Sequence, residues 1–205
     1  MTILKAIHKH ATQGLWLWWL FATLVGIIIG MAIIFLGLTP LPKNNSSQAA
    51  QAVRGFVIGA VFGATVGTAQ WFVLRRYFDR VGWWVLLTFI GWVAYWELNN
   101  MNLLVKAQGI AFIPDLLNLA IFGVILGVLQ WLLLRKKIPS AGWWVPANIA
   151  GMMLASLVID AIDTALQGDS PFDFITGSIV LAIITGICMM WLLKRSSSVT
   201  GTRSS

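Results

Sequence analysis

The chain has almost no cysteine. Cys188 is the single one among 205 residues, which excludes an intramolecular disulfide framework and any cysteine-rich metal site. It lies in an apolar run, the setting of a small core residue, whereas a reactive thiol needs an electropositive and accessible one. Charge is scarce as well. Only 10% of residues are charged, against about a quarter in a soluble domain, so this chain cannot cover a water-exposed surface. Acids are scarcer than bases, and the net charge is +7. That excess does not point to nucleic acid. The bases stand at the ends of apolar runs, where they set membrane topology, and form no separate basic domain with interleaved aromatics. The two histidines, His8 and His10, fall on different sides of a helix, a poor arrangement for a metal pair. Catalytic signatures are missing: there is no Gly-x-Ser-x-Gly, no His-Glu-x-x-His, no phosphate loop and no dinucleotide fingerprint. The expectation is a protein that is not an enzyme, with no cofactor named by its sequence.

What is present is apolar length. Hydrophobic residues make up 59% of the chain, and both 15–38 and 55–74 are free of charge. About twenty such residues cross a bilayer core. The runs do not alternate, which excludes a membrane β-barrel. The fold class is therefore an all-α integral membrane protein. Six transmembrane helices are expected, near 15–38, 53–74, 81–96, 114–134, 143–164 and 172–193, in one domain over 1–195 with a disordered Ser-rich tail at 196–205. The first run is about twice the length of a signal-peptide core, and it shares the pattern described next, so it is expected to be retained.

That pattern is an internal repeat. Gly63-x-x-x-Gly67-x-x-Gln70-Trp71-x-x-Leu74-Arg75 returns as Gly123, Gly127, Gln130, Trp131, Leu134 and Arg135, and a worn third copy keeps Trp191 and Arg195 but has Met190 for Gln. The three tryptophans are sixty positions apart. Three Trp pairs, Trp18-Trp19, Trp83-Trp84 and Trp143-Trp144, each have a glycine seven residues after the second ring and Thr23, Thr88 or Asn148 four residues after it. The reading is three parallel helical-hairpin repeats, at about 14–76, 81–137 and 141–195, around an axis near the membrane normal. Inverted-repeat transporters are built differently. Bases collect on the side of both termini, which is expected to be cytoplasmic, in a plasma or thylakoid membrane. Six of the seven acids lie toward the other side.

Two groups of residues carry functional expectations. One is a cytoplasmic rim of Trp19, Gln70, Trp71, Trp84, Gln130, Trp131, Trp144 and Trp191. It reads either as an interfacial aromatic belt or as a surface that grips a headgroup, a pigment or a partner helix. The two glutamines need partners near the membrane, and Thr88 or Asn148 on a neighbouring helix fits. The other group is polar and lies toward the opposite side: Glu97, Asn100, Asp115, Asn118, Ser156, Asp160 and Asp163. Glu97 is thirteen residues beyond Trp84, about 20 Å along a helix, inside a core of about 30 Å. Ser156, Asp160 and Asp163 share one helical stripe. Intramembrane carboxylates imply function; the rival reading is that these helices are short and the acids sit in water. The glycines spaced by four, a zipper pattern, serve close helix packing.

The tandem Gly-x-x-x-Gly-x-x-Gln-Trp-x-x-Leu-Arg signature with intervening Gly-Trp-Trp resembles a group of uncharacterised polytopic membrane proteins common in cyanobacteria. The likeness covers Trp18 to Arg195, and the third copy departs from it by losing Gln and both glycines. It implies a membrane location and brings no activity, so no catalytic residue is carried over. The functional expectation is a binding or assembly module for lipid, pigment or partner helices, with the bilayer and a membrane-protein partner or second copy as partners and no nucleic acid. The alternative is a small cation- or proton-coupled transporter or channel built on the acids.

Overall fold

The computed structural model describes residues 14–38, 47–100, 112–168 and 172–201. The side chains of 100, 112–115 and 197–201 lie outside that description, and with them the candidate side chains of Asn100 and Asp115. Six α-helices and no strand occur among the described residues: α1 Leu15–Phe35, α2 Gln48–Leu74, α3 Trp83–Asn100, α4 Phe112–Leu134, α5 Trp144–Leu166 and α6 Asp173–Gly201. A single 3-10 turn, Ala141–Trp143, leads into α5. All but α3 are long and apolar enough to cross a membrane. In α3, four tryptophans and the closing Glu97-Leu98-Asn99-Asn100 dilute the apolar content of an eighteen-residue helix.

Three boundaries depart from the sequence expectation. Helix α2 starts at Gln48, inside the segment expected to be a loop, because the Ser47 hydroxyl accepts the Ala50 N–H at 3.1 Å and caps the first turn. Helix α3 runs on past the clean apolar stretch that ends at Trp96 and carries Glu97 and its neighbours to Asn100. Helix α6 runs to Gly201, so the first six residues expected to be a disordered tail continue the helix.

Successive helices pack side by side, and α6 closes back on α1, so the bundle is a ring around a central axis. Small residues set the closest approaches. A Cβ added at Gly63 would stand 2.6 Å from the Phe89 Cα, and one at Gly59 would stand 2.7 Å from the Val93 Cα. As the glycine steps forward by four its partner steps back by four, the register of antiparallel helices. The same approach recurs between α4 and α5, where a Cβ at Gly123 would lie 2.8 Å from the Ile149 Cα. Without water to drive apolar surfaces together, such backbone contact is a main source of helix association in a bilayer.

Two buried clusters fill the ring. One, at the end where α2 and α4 terminate, gathers Leu15, Trp19, Leu74, Trp84, Leu134, Ile138, Trp144, Met189 and Leu192. The turns outside it carry Arg75, Arg76, Arg80, Arg135, Lys136 and Lys137, so this is the basic end. There the Lys137 ammonium donates to the Asp79 carbonyl at 2.6 Å and ties the α2–α3 and α4–α5 turns together. Beside it, burial raises the Tyr77 phenol above its ordinary pKa and outweighs the lowering by Arg76. The second cluster, Ile27, Phe62, Val66, Trp92, Phe122, Leu126 and Met152, lies toward the opposite, acidic end.

Candidate functional site

At the basic end the tryptophan pairs split by helical geometry, since adjacent residues on a helix point about 100° apart. Trp18, Trp83 and Trp143 are 51%, 64% and 60% exposed, while Trp19, Trp84 and Trp144 are 1%, 0% and 1% exposed. The expected rim is thereby corrected: its three second-position rings face inward, and their neighbours form the outer surface. The inner rings meet one another edge to face, with centroids 5.7, 5.8 and 5.8 Å apart, a geometry that stabilises aromatic pairs beyond their buried area.

Each inner indole N–H has a partner. Trp84 donates to the Gln70 side-chain oxygen at 3.0 Å, Gln70 donates to the Thr23 hydroxyl at 3.1 Å, and Thr23 donates to the Trp19 carbonyl at 2.9 Å. One repeat length on, Trp144 donates to Gln130 at 2.9 Å and Gln130 to Thr88 at 3.0 Å. Of the two expected partners, Thr88 thus serves Gln130, whereas Gln70 finds Thr23, which was not among them. Asn148 instead donates to the Trp144 carbonyl of its own helix at 2.8 Å. In the third position, where Met190 replaces glutamine, Trp19 donates to the Thr185 hydroxyl at 3.0 Å, and Thr185 donates to the Leu181 carbonyl at 2.7 Å. Thr185 carries no repeat signal, which is why spacing alone does not find it. Gln70 and Gln130 are buried within this network and are not available to a ligand at the rim. The remaining rim residues, Trp71, Trp131 and Trp191, lie under the guanidinium groups of Arg75, Arg135 and Arg195 at 5.0, 5.0 and 5.1 Å.

Above this layer the axis opens. A cavity of about 230 Å³ has Thr23, Gln70 and Thr88 at one end and Asn99, Asp173 and Phe174 at the other, with walls drawn from all six helices. The walls are aromatic: Trp92 stacks on Phe62 with centroids 5.4 Å apart and meets Phe122 edge-on at 5.0 Å, and Tyr95 stacks on Phe122 at 4.3 Å. Asn99 and Phe174 are exposed, so the cavity reaches the surface at the acidic end. Its notable chemistry is two donors. The indole N–H groups of Trp92 and Trp96, both wall residues, are buried with no hydrogen-bond partner, and Trp92 is 7% exposed overall. With Trp16 they are the three of twelve tryptophans outside the repeat pattern, and of those three only Trp92 and Trp96 stand away from the basic end of the helices.

Of the expected polar residues whose side chains are described, Glu97, Asn118, Ser156, Asp160 and Asp163, none is among those lining this cavity. Helix α5 turns Met152, Ala155 and Ile159 to the wall, so the Ser156, Asp160 and Asp163 stripe lies on another face; Ser156 is buried and Asp160 exposed. Asn118 and Asp163 are half-buried and engaged with neighbours. Glu97 is half-buried with one carboxyl oxygen unpaired, and it extends the α3 row of Val85, Phe89 and Val93 that packs on α2 rather than the cavity wall. Among the described residues no three His, Cys, Asp or Glu side chains could together hold a metal ion.

Fold and cavity together define an all-helical bundle around an aromatic chamber. The sequence matches no protein-family profile and no curated protein, and no solved structure matches the fold.

Proposed function

We propose that this protein is a non-enzymatic integral membrane binding module that holds a small lipophilic molecule, or the ring end of a longer one, in the central cavity. One observation carries the reading: Trp92 and Trp96 both line a cavity walled by aromatic rings, and their buried indole N–H groups have no protein partner. A buried donor without a partner costs about 1–3 kcal/mol, and a carbonyl or ether oxygen on a bound molecule would remove that cost. The volume of about 230 Å³ is just under the range of about 300–1,000 Å³ for drug-sized ligands, which favours one ring system. Flanking rings favour a flat one.

The architecture that goes with this reading has six spans in three parallel hairpin repeats, both termini on the cytoplasmic side and the cavity mouth on the other. Support for the repeat comes from the Trp84–Gln70–Thr23 and Trp144–Gln130–Thr88 networks, which use equivalent positions of successive hairpins. Conduction along the same axis is the weaker reading, because the path would cross the buried Trp19–Trp84–Trp144 layer and the leucines beneath it.

The test is purification in mild detergent, followed by native mass spectrometry, an absorption spectrum and titration with a short-chain benzoquinone as a flat, acceptor-bearing probe. Saturable quenching of tryptophan fluorescence is expected, weakened about fivefold when Trp92→Phe removes one neutral hydrogen bond worth about 1 kcal/mol. A wild-type protein that carries nothing and shows only linear, collisional quenching would sink the reading.

A further inference from the structure

A second site lies outside the bundle. Helices α1 and α2 part on their outer side to form a groove of about 480 Å³. Ala22, Thr68 and Ala69 line it with small side chains, and the exposed rings of Phe21 and Phe72 stand among its lining residues. At its basic end the Arg76 guanidinium lies 5.2 Å from the Trp18 ring centre. This contact differs from the other arginine–tryptophan pairs. Arg75, Arg135 and Arg195 each cover the ring four residues earlier on their own helix, whereas Arg76 crosses from the end of α2 to α1 and meets the groove there.

The dimensions specify the occupant. On α1 the groove runs from Trp18 to Ile29, eleven residues and about 16 Å at the rise of a helix. That is about half of a 30 Å hydrocarbon core, the depth of one leaflet. The groove is nearly all apolar, and the Thr65 hydroxyl within it already donates to the Val61 carbonyl at 2.9 Å. A cation and an indole at headgroup level, above an apolar channel one leaflet deep, match one ligand class. We infer that this groove binds an anionic phospholipid, with the phosphate at Arg76 and Trp18 and an acyl chain along Ala22, Thr68 and Ala69.

Charge complementarity favours lipid over a partner helix, because the groove ends in a cation at the level where lipid phosphate lies. The inference is independent of the central cavity and stands or falls without it.

The full chain in nanodiscs of equal phosphatidylcholine and phosphatidylglycerol, analysed by native mass spectrometry, tests it. Wild type should retain phosphatidylglycerol over phosphatidylcholine by about fivefold, the weight of one arginine near a membrane surface. Arg76→Gln should erase that preference while a lipid of either kind is still retained. Lys136→Gln, at the matching position of the next turn, should leave it intact. Thr68→Leu should displace the retained lipid; its folding is confirmed separately by size exclusion and thermal unfolding. Equal retention of both lipids by wild type would overturn the inference. So would equal losses in Arg76→Gln and Lys136→Gln, which would mean diffuse surface charge. A dimer abolished by Thr68→Leu would overturn it too, by giving the groove to a second copy.

Discussion

The two ends of the bundle treat tryptophan in opposite ways. At the basic end three buried rings form a closed layer, and each inner N–H meets an oxygen at 2.9–3.0 Å. Toward the acidic end, Trp92 is buried and Trp96 half-buried in walls of comparable aromatic content, and their buried N–H groups meet none. The difference is one of satisfaction rather than composition. A layer with every donor paired specifies one packing and rigidifies it. A wall with donors left over is destabilised when empty and gains when something fills it. Along the axis, the proposed chamber therefore falls in the acidic half and the fully paired layer in the basic half, the reverse of what the density of tryptophan at the basic end implies.

The strongest way to break this contrast is to remove a ring from the paired layer. Trp84→Ala deletes a fully buried indole that touches Trp19 and Trp144 and satisfies Gln70. Truncating a buried aromatic costs about 3–5 kcal/mol. Trp83→Ala, next in sequence but exposed, should stay within about 0.5 kcal/mol of wild type. Thermal unfolding in detergent reads both, and similar losses would mean that the inner layer is not the structural core.

The helix contacts beneath both halves come next. Gly63→Leu places side-chain atoms where even a Cβ would lie 2.6 Å from the Phe89 Cα. The α2 and α3 backbones must separate, at a cost of about 1–3 kcal/mol or more. Gly82→Leu is the control, because a Cβ there meets nothing within 4 Å. Equal stability of the two variants would remove close packing from the account.

A smaller effect is expected at the glutamines. Gln70→Leu removes the acceptor of Trp84 and the donor to Thr23. Interhelical hydrogen bonds in membranes contribute about 0.6–2 kcal/mol each, so the loss should exceed that of a lipid-facing substitution such as Leu132→Ala. Met190→Gln asks the converse question. If Thr185 fully satisfies Trp19, an added amide brings no gain.

Much of the fold was legible because spacing survives in sequence. Gln70 and Trp84 are fourteen apart, as are Gln130 and Trp144, and those separations across a short turn are the ones that hydrogen-bond. The direction each helix faces was not legible. In a soluble helix the apolar face marks the core, but lipid is as apolar as the bundle interior, so Trp18 and Trp19 look alike in sequence although one is exposed and the other buried. The Ser156, Asp160 and Asp163 stripe shows the same limit: its helical periodicity is genuine, yet the cavity wall of α5 is the face of Met152, Ala155 and Ile159. Ten of the twelve tryptophans lie at the basic ends of their helices; Trp92 and Trp96 do not, and that break is the sequence signal of the chamber.

The finest test makes the same substitution at both ends. Trp84→Phe and Trp92→Phe each shorten a buried indole to a benzene ring, so the lost volume is common to both and the difference isolates the N–H. At Trp84 the change strands the Gln70 oxygen, which costs about 1–3 kcal/mol. At Trp92 it removes a donor that had no partner, which offsets part of the loss of packing. In protein stripped of bound lipophiles, Trp92→Phe should therefore unfold at a higher temperature than Trp84→Phe. Adding back a ligand that accepts from Trp92 should then raise the wild-type melting temperature more than that of Trp92→Phe, because only the wild type gains the bond. Equal melting temperatures for the two stripped variants would mean that the Trp92 N–H is satisfied in the empty protein, and the chamber would lose the feature that marks it as a binding site.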